Sequence, residues 1–197
     1  LSRYVQKICV AFENMERFFP SEKIILTGNP IRKDILCLSD KKKDAKKLFK
    51  IDELKTTILV IGGSLGARTI NNTISDNLER LSSIGINLIW QTGIHYESKA
   101  SQLISDINAK EFNVFAFIKE MDKAYAVADI IISRSGAIAI SELCCVGKPI
   151  ILVPSPNVSE NHQYKNAQSL VNKNAAILVE DKDANCKLVD ILEELID

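Results

Sequence analysis

From Thr57 onward, short apolar runs alternate with stretches of helical period, and this alternation restricts the possible folds more than any other feature of the chain. The runs cover residues 58–61, 87–91, 114–118, 130–133, 150–153 and 176–179. Their length and near-continuous apolar character suit strands buried on both faces of a parallel sheet. Between them, the clearest helical stripe carries Ile70, Ile74, Leu78 and Leu81. Further helices are expected to start near Tyr96, Glu120, Gly136, Asn161 and Ala184. Strand and helix pairs in alternation imply an α/β fold, a doubly wound parallel sheet of Rossmann-like type with right-handed crossovers. Ligands of such sheets lie beyond the carboxyl ends of the strands, so candidate site residues are sought in the loops that follow them.

The residues before Thr57 read differently. Residues 1–20 mix charged and apolar side chains up to a break at Pro20 and Ser21, and 23–30 form a brief apolar strand closed by Gly28, Asn29 and Pro30. This divides the chain into 1–27, the end of a preceding domain with its linker, and 28–197, the main domain. The charged run 40–50 reads as a solvated surface helix or loop. Lys plus Arg and Asp plus Glu each number 25, so no net field draws nucleic acid or an anionic membrane, and no nucleic-acid partner is expected. The cysteines (Cys9, Cys37, Cys144, Cys145, Cys186) are odd in number and include a vicinal pair, a pattern of reduced thiols in a cytosolic setting. His95 and His162 have no Cys or His neighbours at zinc-finger spacing, so neither a metal nor a cofactor is expected. No apolar run approaches the ~20 residues of a bilayer span, which leaves peripheral contact as the expected mode of any membrane association.

Two strand-to-helix loops have the makings of anion sites. Gly62-Gly63-Ser64-Leu65-Gly66-Ala67-Arg68 follows the first main strand, and Ser133-Arg134-Ser135-Gly136-Ala137-Ile138 follows the fourth. Glycines admit close approach, and a helix amino terminus presents free N–H groups at the positive end of a dipole. Neither loop has the P-loop or dinucleotide spacing, and the second strand ends in Trp90-Gln91-Thr92-Gly93 without the acid that would hold an NAD ribose. For the first loop the alternative is a tight strand-to-helix turn with no ligand, and for the second it is Glu142 as an exposed helix charge with Arg134 as its solvated neighbour. Ser135 is a candidate N-cap, and Ser135, Ile138 and Glu142 share one helix face, which places a carboxylate about two turns from the anion site, a spacing suited to a ribose beside a diphosphate. At 115–121, Phe117 and Ile118 end a strand with apolar bulk and a backbone edge able to pair with a base, or simply pack in the core. After Pro154 a polar segment opens a helix at His162 and Gln163, whose side chains are placed to meet sugar hydroxyls or to cap the helix.

Taken together and in order, Gly28-Asn29-Pro30-Ile31-Arg32, the Gly62–Arg68 loop, Phe117-Ile118, Arg134-Ser135-Gly136-Ala137 with Ser141-Glu142, and His162-Gln163 with Asn166-Ala167 resemble the MurG family of GT-B glycosyltransferases. The resemblance runs from Gly28 to the end and implies the carboxyl-terminal, donor-binding half of a two-domain enzyme. It implies that Arg32 and Ser64 meet a diphosphate, that the Phe117-Ile118 backbone reads uracil with Met121 nearby, and that Glu142 binds the ribose hydroxyls. Ala137 and Ile138 would present amides to the phosphates from the Arg134-Ser135-Gly136 turn, and His162 and Gln163 would hold the sugar. Two positions depart from the family pattern: Ala139, where many relatives carry Thr, and His162, where some carry Gln. The implied reaction is transfer of N-acetylglucosamine from its UDP donor, with inversion, to the 4-hydroxyl of a lipid-linked muramoyl-peptide in peptidoglycan synthesis. No catalytic residue is expected in this chain, since the resemblance assigns the base and the acceptor site to the amino-terminal half. It also implies peripheral attachment at the cytoplasmic face of a bacterial membrane. Rival readings are a UDP-N-acetylglucosamine 2-epimerase, which needs an acid and a base beside the sugar, and a noncatalytic nucleotide-binding module.

Overall fold

The computed structural model describes residues 3–11, 13–63 and 65–196. Six parallel strands form the main sheet: β3 (Thr57–Ile61), β4 (Asn87–Gln91), β5 (Phe112–Phe115), β6 (Ile130–Ser133), β7 (Ile150–Leu152) and β8 (Ile177–Leu178). Preceding it, β1 (Ile8–Val10) and β2 (Ile24–Leu26) pair with each other as a separate parallel ribbon. The helices are α1 (Lys42–Leu48), α2 (Arg68–Asp76), α3 (Leu78–Ile84), α4 (Glu97–Asp106), α5 (Met121–Val127), α6 (Ala137–Val146), α7 (His162–Val171) and α8 (Ala184–Ile196). Among the described residues, no helix is long and apolar enough to cross a membrane.

Period-two alternation within continuously apolar strands produces two cores. Ile58, Val60, Leu88 and Trp90 point to one face, where they meet Ile70, Ile74 and Leu81 of α2 and α3 and Leu188 and Leu192 of α8. Leu59, Ile89, Ile131 and Leu152 point to the other and meet Ile35, Phe49, Tyr125 and Leu143. Burying each such side chain contributes about 1.5–3 kcal/mol, so the expected doubly wound sheet follows from there being no polar face to leave in water. The order is β5-β4-β3-β6-β7-β8. The chain therefore winds outward from β3 in one direction, returns to β3's other side at β6, and winds outward again. The crevice at that reversal lies between the carboxyl ends of β3 and β6, where Ile61 and Ser133 are register partners.

The sheet and helix starts agree with the sequence reading, and four local differences have physical causes. The stripe from Ile70 to Leu81 is divided between α2 and α3 at Asn77, whose backbone leaves the helical region (φ −118, ψ 15) and whose Nδ2 donates to Thr73 O at 2.8 Å. A side-chain amide that binds the backbone competes with the helix in this way, yet all four apolar residues still reach the core. The third main strand begins earlier and ends at Phe115 instead of Ile118. Its ladder closes with Gly93 N donating to Ala116 O at 3.2 Å, after which Ile118 N donates to the Gln91 side chain at 3.0 Å. The run 176–179 contributes only a two-residue strand. Finally, the 40–50 segment is anchored as well as solvated: Ala45 and Phe49 are buried, and the Phe49 ring meets Phe115 edge-on at 5.7 Å.

The loop after β3 is locked to the loop after β4. Gly62 N donates to Gln91 O, Asn71 Nδ2 donates to Thr92 O at 2.8 Å, and Trp90 Nε1 donates to Asn71 Oδ1 at 3.1 Å. Gly66 has φ +82, and a Cβ there would collide with the carbonyl oxygen of Thr92. Gly136, by contrast, has φ −63 and open space where a Cβ would go. Replacing Gly66 with Ala is expected to lower stability by about 2–4 kcal/mol from combined clash and left-handed strain, whereas Gly136→Ala changes it by less than about 0.5 kcal/mol. Urea denaturation midpoints of the two variants measure the contrast, and equal midpoints would contradict it.

Candidate functional site

The helices that follow the two central strands open onto the crevice with free ends. α2 is entered from Ala67 and α6 from Gly136, both in extended conformation and neither bearing a side-chain cap, and neither helix has an acid in its first turn. Their leading amides lack intrahelical partners and lie at the positive end of the helix dipole. Ser135, expected as the cap of α6, is instead buried, with Oγ donating to Gln163 O at 2.9 Å and its carbonyl accepting from Asn166 Nδ2 at 3.1 Å. It fastens the loop to α7 and leaves the capping position to a residue without a side chain. Ala137 and Ile138 form the first turn, with the Ile138 side chain exposed at the mouth. In the β3 loop, Gly62 and Gly66 face neighbouring backbone, while Gly63 borders open space. Ser64 lies outside the described residues.

Among the described residues Glu142 is the one buried acid, and it sits in the middle of α6. Arg32, reaching from the segment before α1, grips it in a fork: Nε donates to Oε1 and Nη2 to Oε2, each at 2.8 Å. A third donor, the Tyr125 hydroxyl on α5, reaches Oε2 at 3.3 Å. The carboxylate's hydrogen bonds raise the Arg32 pKa against the opposing effect of burial. Burial, and then the Glu142 charge, push the Tyr125 phenol well above its ordinary value, so it remains a donor at neutral pH. Asn29 fixes the same segment to α6 through bonds to Ala137 O at 3.3 Å and Ser141 Oγ at 3.0 Å. Arg32 and Glu142, assigned by resemblance to different parts of one ligand, thus hold each other in the free chain.

Phe117 is exposed while Ile118 and Met121 are buried in the core. An apolar cavity of about 230 Å³ opens beside them, lined by Leu48, Phe49, Phe115, Phe117 and Ile118 with Lys119 and Glu120 at its edge. A planar base fits such a volume, although the Ile118 amide is engaged by Gln91. Arg134 is committed to the protein: Nη1 donates to Val153 O, to Pro154 O and to Asp181, which also accepts from Thr69. His162 is exposed, and its Nδ1 lies 2.8 Å from Ser159 O, a carbonyl that can only accept, so the bond is made by a protonated Nδ1. Gln163 Oε1 accepts from Ser155 N at 2.9 Å. A larger cavity, about 450 Å³, lies beyond β7 between Pro154, Asn161, Tyr164 and Lys182, but Glu180 and Asp181 on its wall disfavour a phosphate. Among the described residues, no group of three or more His, Cys, Asp or Glu is placed to hold a metal ion.

Sequence reasoning missed Tyr125, Gln91 and the bonding of Asn29. Tyr125 was discoverable, standing four residues after Met121 and hence on the same face of α5. Gln91 carried a weaker signal, a polar side chain at the carboxyl end of a buried strand.

The family profile described as "Glycosyltransferase family 28 C-terminal domain" matches residues 57–197. The chain is 50% identical over 189 residues to the "UDP-N-acetylglucosamine--N-acetylmuramyl-(pentapeptide) pyrophosphoryl-undecaprenol N-acetylglucosamine transferase" of Parabacteroides distasonis, covering 96% of this chain and 51% of that protein. The identically named protein of Cytophaga hutchinsonii is 50% identical over 196 residues, covering 100% of this chain and 52% of that one. Among solved structures, that of Acinetobacter baumannii MurG aligns with a TM-score of 0.70 at 26% identity, covering 100% of this chain and 53% of that one. The chain thus spans about half the length of the curated relatives it matches.

The two arginines differ in what they support. Arg134 and Asp181 are each less than one-fifth exposed, whereas the Arg32 side chain is 45% exposed. Arg134→Ala is expected to cost about 2–3 kcal/mol of stability by leaving buried acceptors and a carboxylate unpaired, and Arg32→Ala less, about 1 kcal/mol, because the guanidinium is half-exposed and Tyr125 still donates to Glu142. Chemical denaturation of both variants checks the order, and a larger loss for Arg32→Ala would refute it.

Proposed function

The chain belongs to the glycosyltransferase family 28 C-terminal domain family, and from that membership we propose that it is the donor-binding half of an enzyme that transfers N-acetylglucosamine from UDP to a lipid-linked muramoyl-peptide. The observation that carries the reading is the placement of Glu142: a buried carboxylate on the helix whose uncapped amino end opens at the β3–β6 crevice. The arrangement offers an acceptor pair for a diol beside a seat for a diphosphate. The names of relatives at 50% identity supply the sugar, the acceptor and the reaction.

In this reading the α6 amides of Ala137 and Ile138, with Arg32 and Ser64, receive the diphosphate, and Glu142 accepts both ribose hydroxyls. The Phe117-Ile118 backbone takes the edge of uracil above the apolar cavity, the Ile118 amide exchanging Gln91 for the base, with Met121 beneath. His162 Nε2 and the Gln163 amide face sugar hydroxyls. Arg134, Ser135 and Gly136 build the turn that presents the α6 amides, Arg134 by stapling and Gly136 by leaving the mouth open. Cleavage of the sugar–phosphate bond leaves added negative charge on UDP, and preorganised N–H donors and Arg32 stabilise that charge in the transition state. In this reading the acceptor site and the base for its 4-hydroxyl lie in the part of the relatives that this chain does not match, and peripheral attachment to the cytoplasmic face of the membrane belongs to the intact enzyme. The segment from residue 28 to the end is taken as the donor domain, with 1–27 leading into it.

Calorimetric titration tests the reading. UDP is expected to bind and ADP to bind far more weakly, because one backbone donor and one acceptor at this strand end match uracil and not adenine. Equal affinity for the two would count against the Phe117-Ile118 assignment. Glu142→Gln should weaken UDP binding by about 1–3 kcal/mol through loss of charge-assisted bonds to the ribose, and an unchanged affinity would remove Glu142 from the site.

A further inference from the structure

Resting on the donor reading, we propose that Tyr125 is a positioning residue for nucleotide binding: its hydroxyl holds the Glu142 carboxylate in the orientation that accepts the ribose diol once Arg32 has turned to the diphosphate. Three protein donors meet Glu142 in the free chain, and they differ in what they can do when ligand arrives. The Arg32 bonds use Nε on Oε1 and Nη2 on Oε2, the same two oxygens the ribose needs, and its side chain is half-exposed on a segment outside the sheet. Tyr125 is 3% exposed on α5, packed within the second core, and cannot leave.

An ionised carboxylate has about four lone-pair sites, so a single tyrosine bond to Oε2 leaves acceptor capacity on both oxygens for the two hydroxyls. Glutamate otherwise loses rotamer freedom on binding, and a fixed partner removes part of that cost beforehand. Because the phenol is held in its protonated form, it serves as a donor whether or not ligand is present. Phenylalanine at this position keeps the ring and its packing and removes only the hydroxyl, so the variant isolates the bond.

The experiment compares UDP and 2′,3′-dideoxy-UDP by calorimetry on the unaltered chain, on Tyr125→Phe, on Glu142→Gln and on the double variant. Tyr125→Phe is expected to weaken UDP about 3–10-fold while changing dideoxy-UDP by less than about twofold. In the Glu142→Gln background the same change should alter UDP affinity by less than about twofold, since coupled residues are not additive. A purely structural role for Tyr125 would weaken both nucleotides alike and would persist in the Glu142→Gln background, and either result overturns the proposal. Failure of the unaltered chain to bind UDP would overturn the donor reading itself, an outcome distinct from equal losses in the variant.

Discussion

Parallel pairing of β3 with β6 is the constraint on which the rest of the molecule depends. With Ile61 beside Ser133, the two strands end level, and the chain leaves them into helices that pack on opposite faces of the sheet, α2 against the first core and α6 against the second. Every other strand of the main sheet lies outward of this pair, so both cores and both series of crossovers take their positions from it. Locking of the β3 loop to the β4 loop through Asn71, Trp90 and the Gly66–Thr92 contact fixes one wall of the crevice. Ser135 and Arg134 fix the other, by bonds to α7, to β7's end and to Asp181. Rigid walls of this kind allow backbone amides to serve as a preorganised anion site.

In the proposed reading the Arg32–Glu142 pair acts as a placeholder for the ligand. A carboxylate so little exposed would cost several kcal/mol with no donor at all, and Tyr125 together with the forked guanidinium satisfies it in the absence of ligand. The partner is half-exposed, so solvent screening makes the pair itself worth only about 1 kcal/mol or less, small enough for a ribose and a diphosphate to exchange with. Asn29 and Arg32 belong to the segment that precedes the sheet, and both bind α6. In the proposed reading, nucleotide occupancy and the seating of that segment are linked through the same carboxylate, since Arg32 would hold either Glu142 or a phosphate.

Elements whose identity rests on burial were legible in the sequence. The apolar runs gave the six strands and the helical stripes gave the starts of α4 to α8, because two-sided burial imposes its own pattern on the residues. Details that depend on a distant partner were not legible. The end of β5 is set by the Gln91 side chain 27 residues away, and the turning of Ser135 from cap to staple is set by Gln163 O 28 residues on. For the site, the loops, the helix mouths and Glu142 could be picked out from spacing and resemblance. That Arg32 would lie on Glu142, with Tyr125 beneath, required the packing of α5, α6 and the preceding segment around one another.

The central claim is that Glu142 is the ribose carboxylate and that Arg32 releases it when nucleotide binds. A crystal structure of the chain with UDP measures this directly. The account predicts Glu142 Oε1 and Oε2 within hydrogen-bonding distance of the two ribose hydroxyls, the diphosphate at the amino end of α6, and Arg32 displaced from the 2.8 Å fork it forms in the free chain. UDP bound with that fork intact and the ribose elsewhere would contradict it.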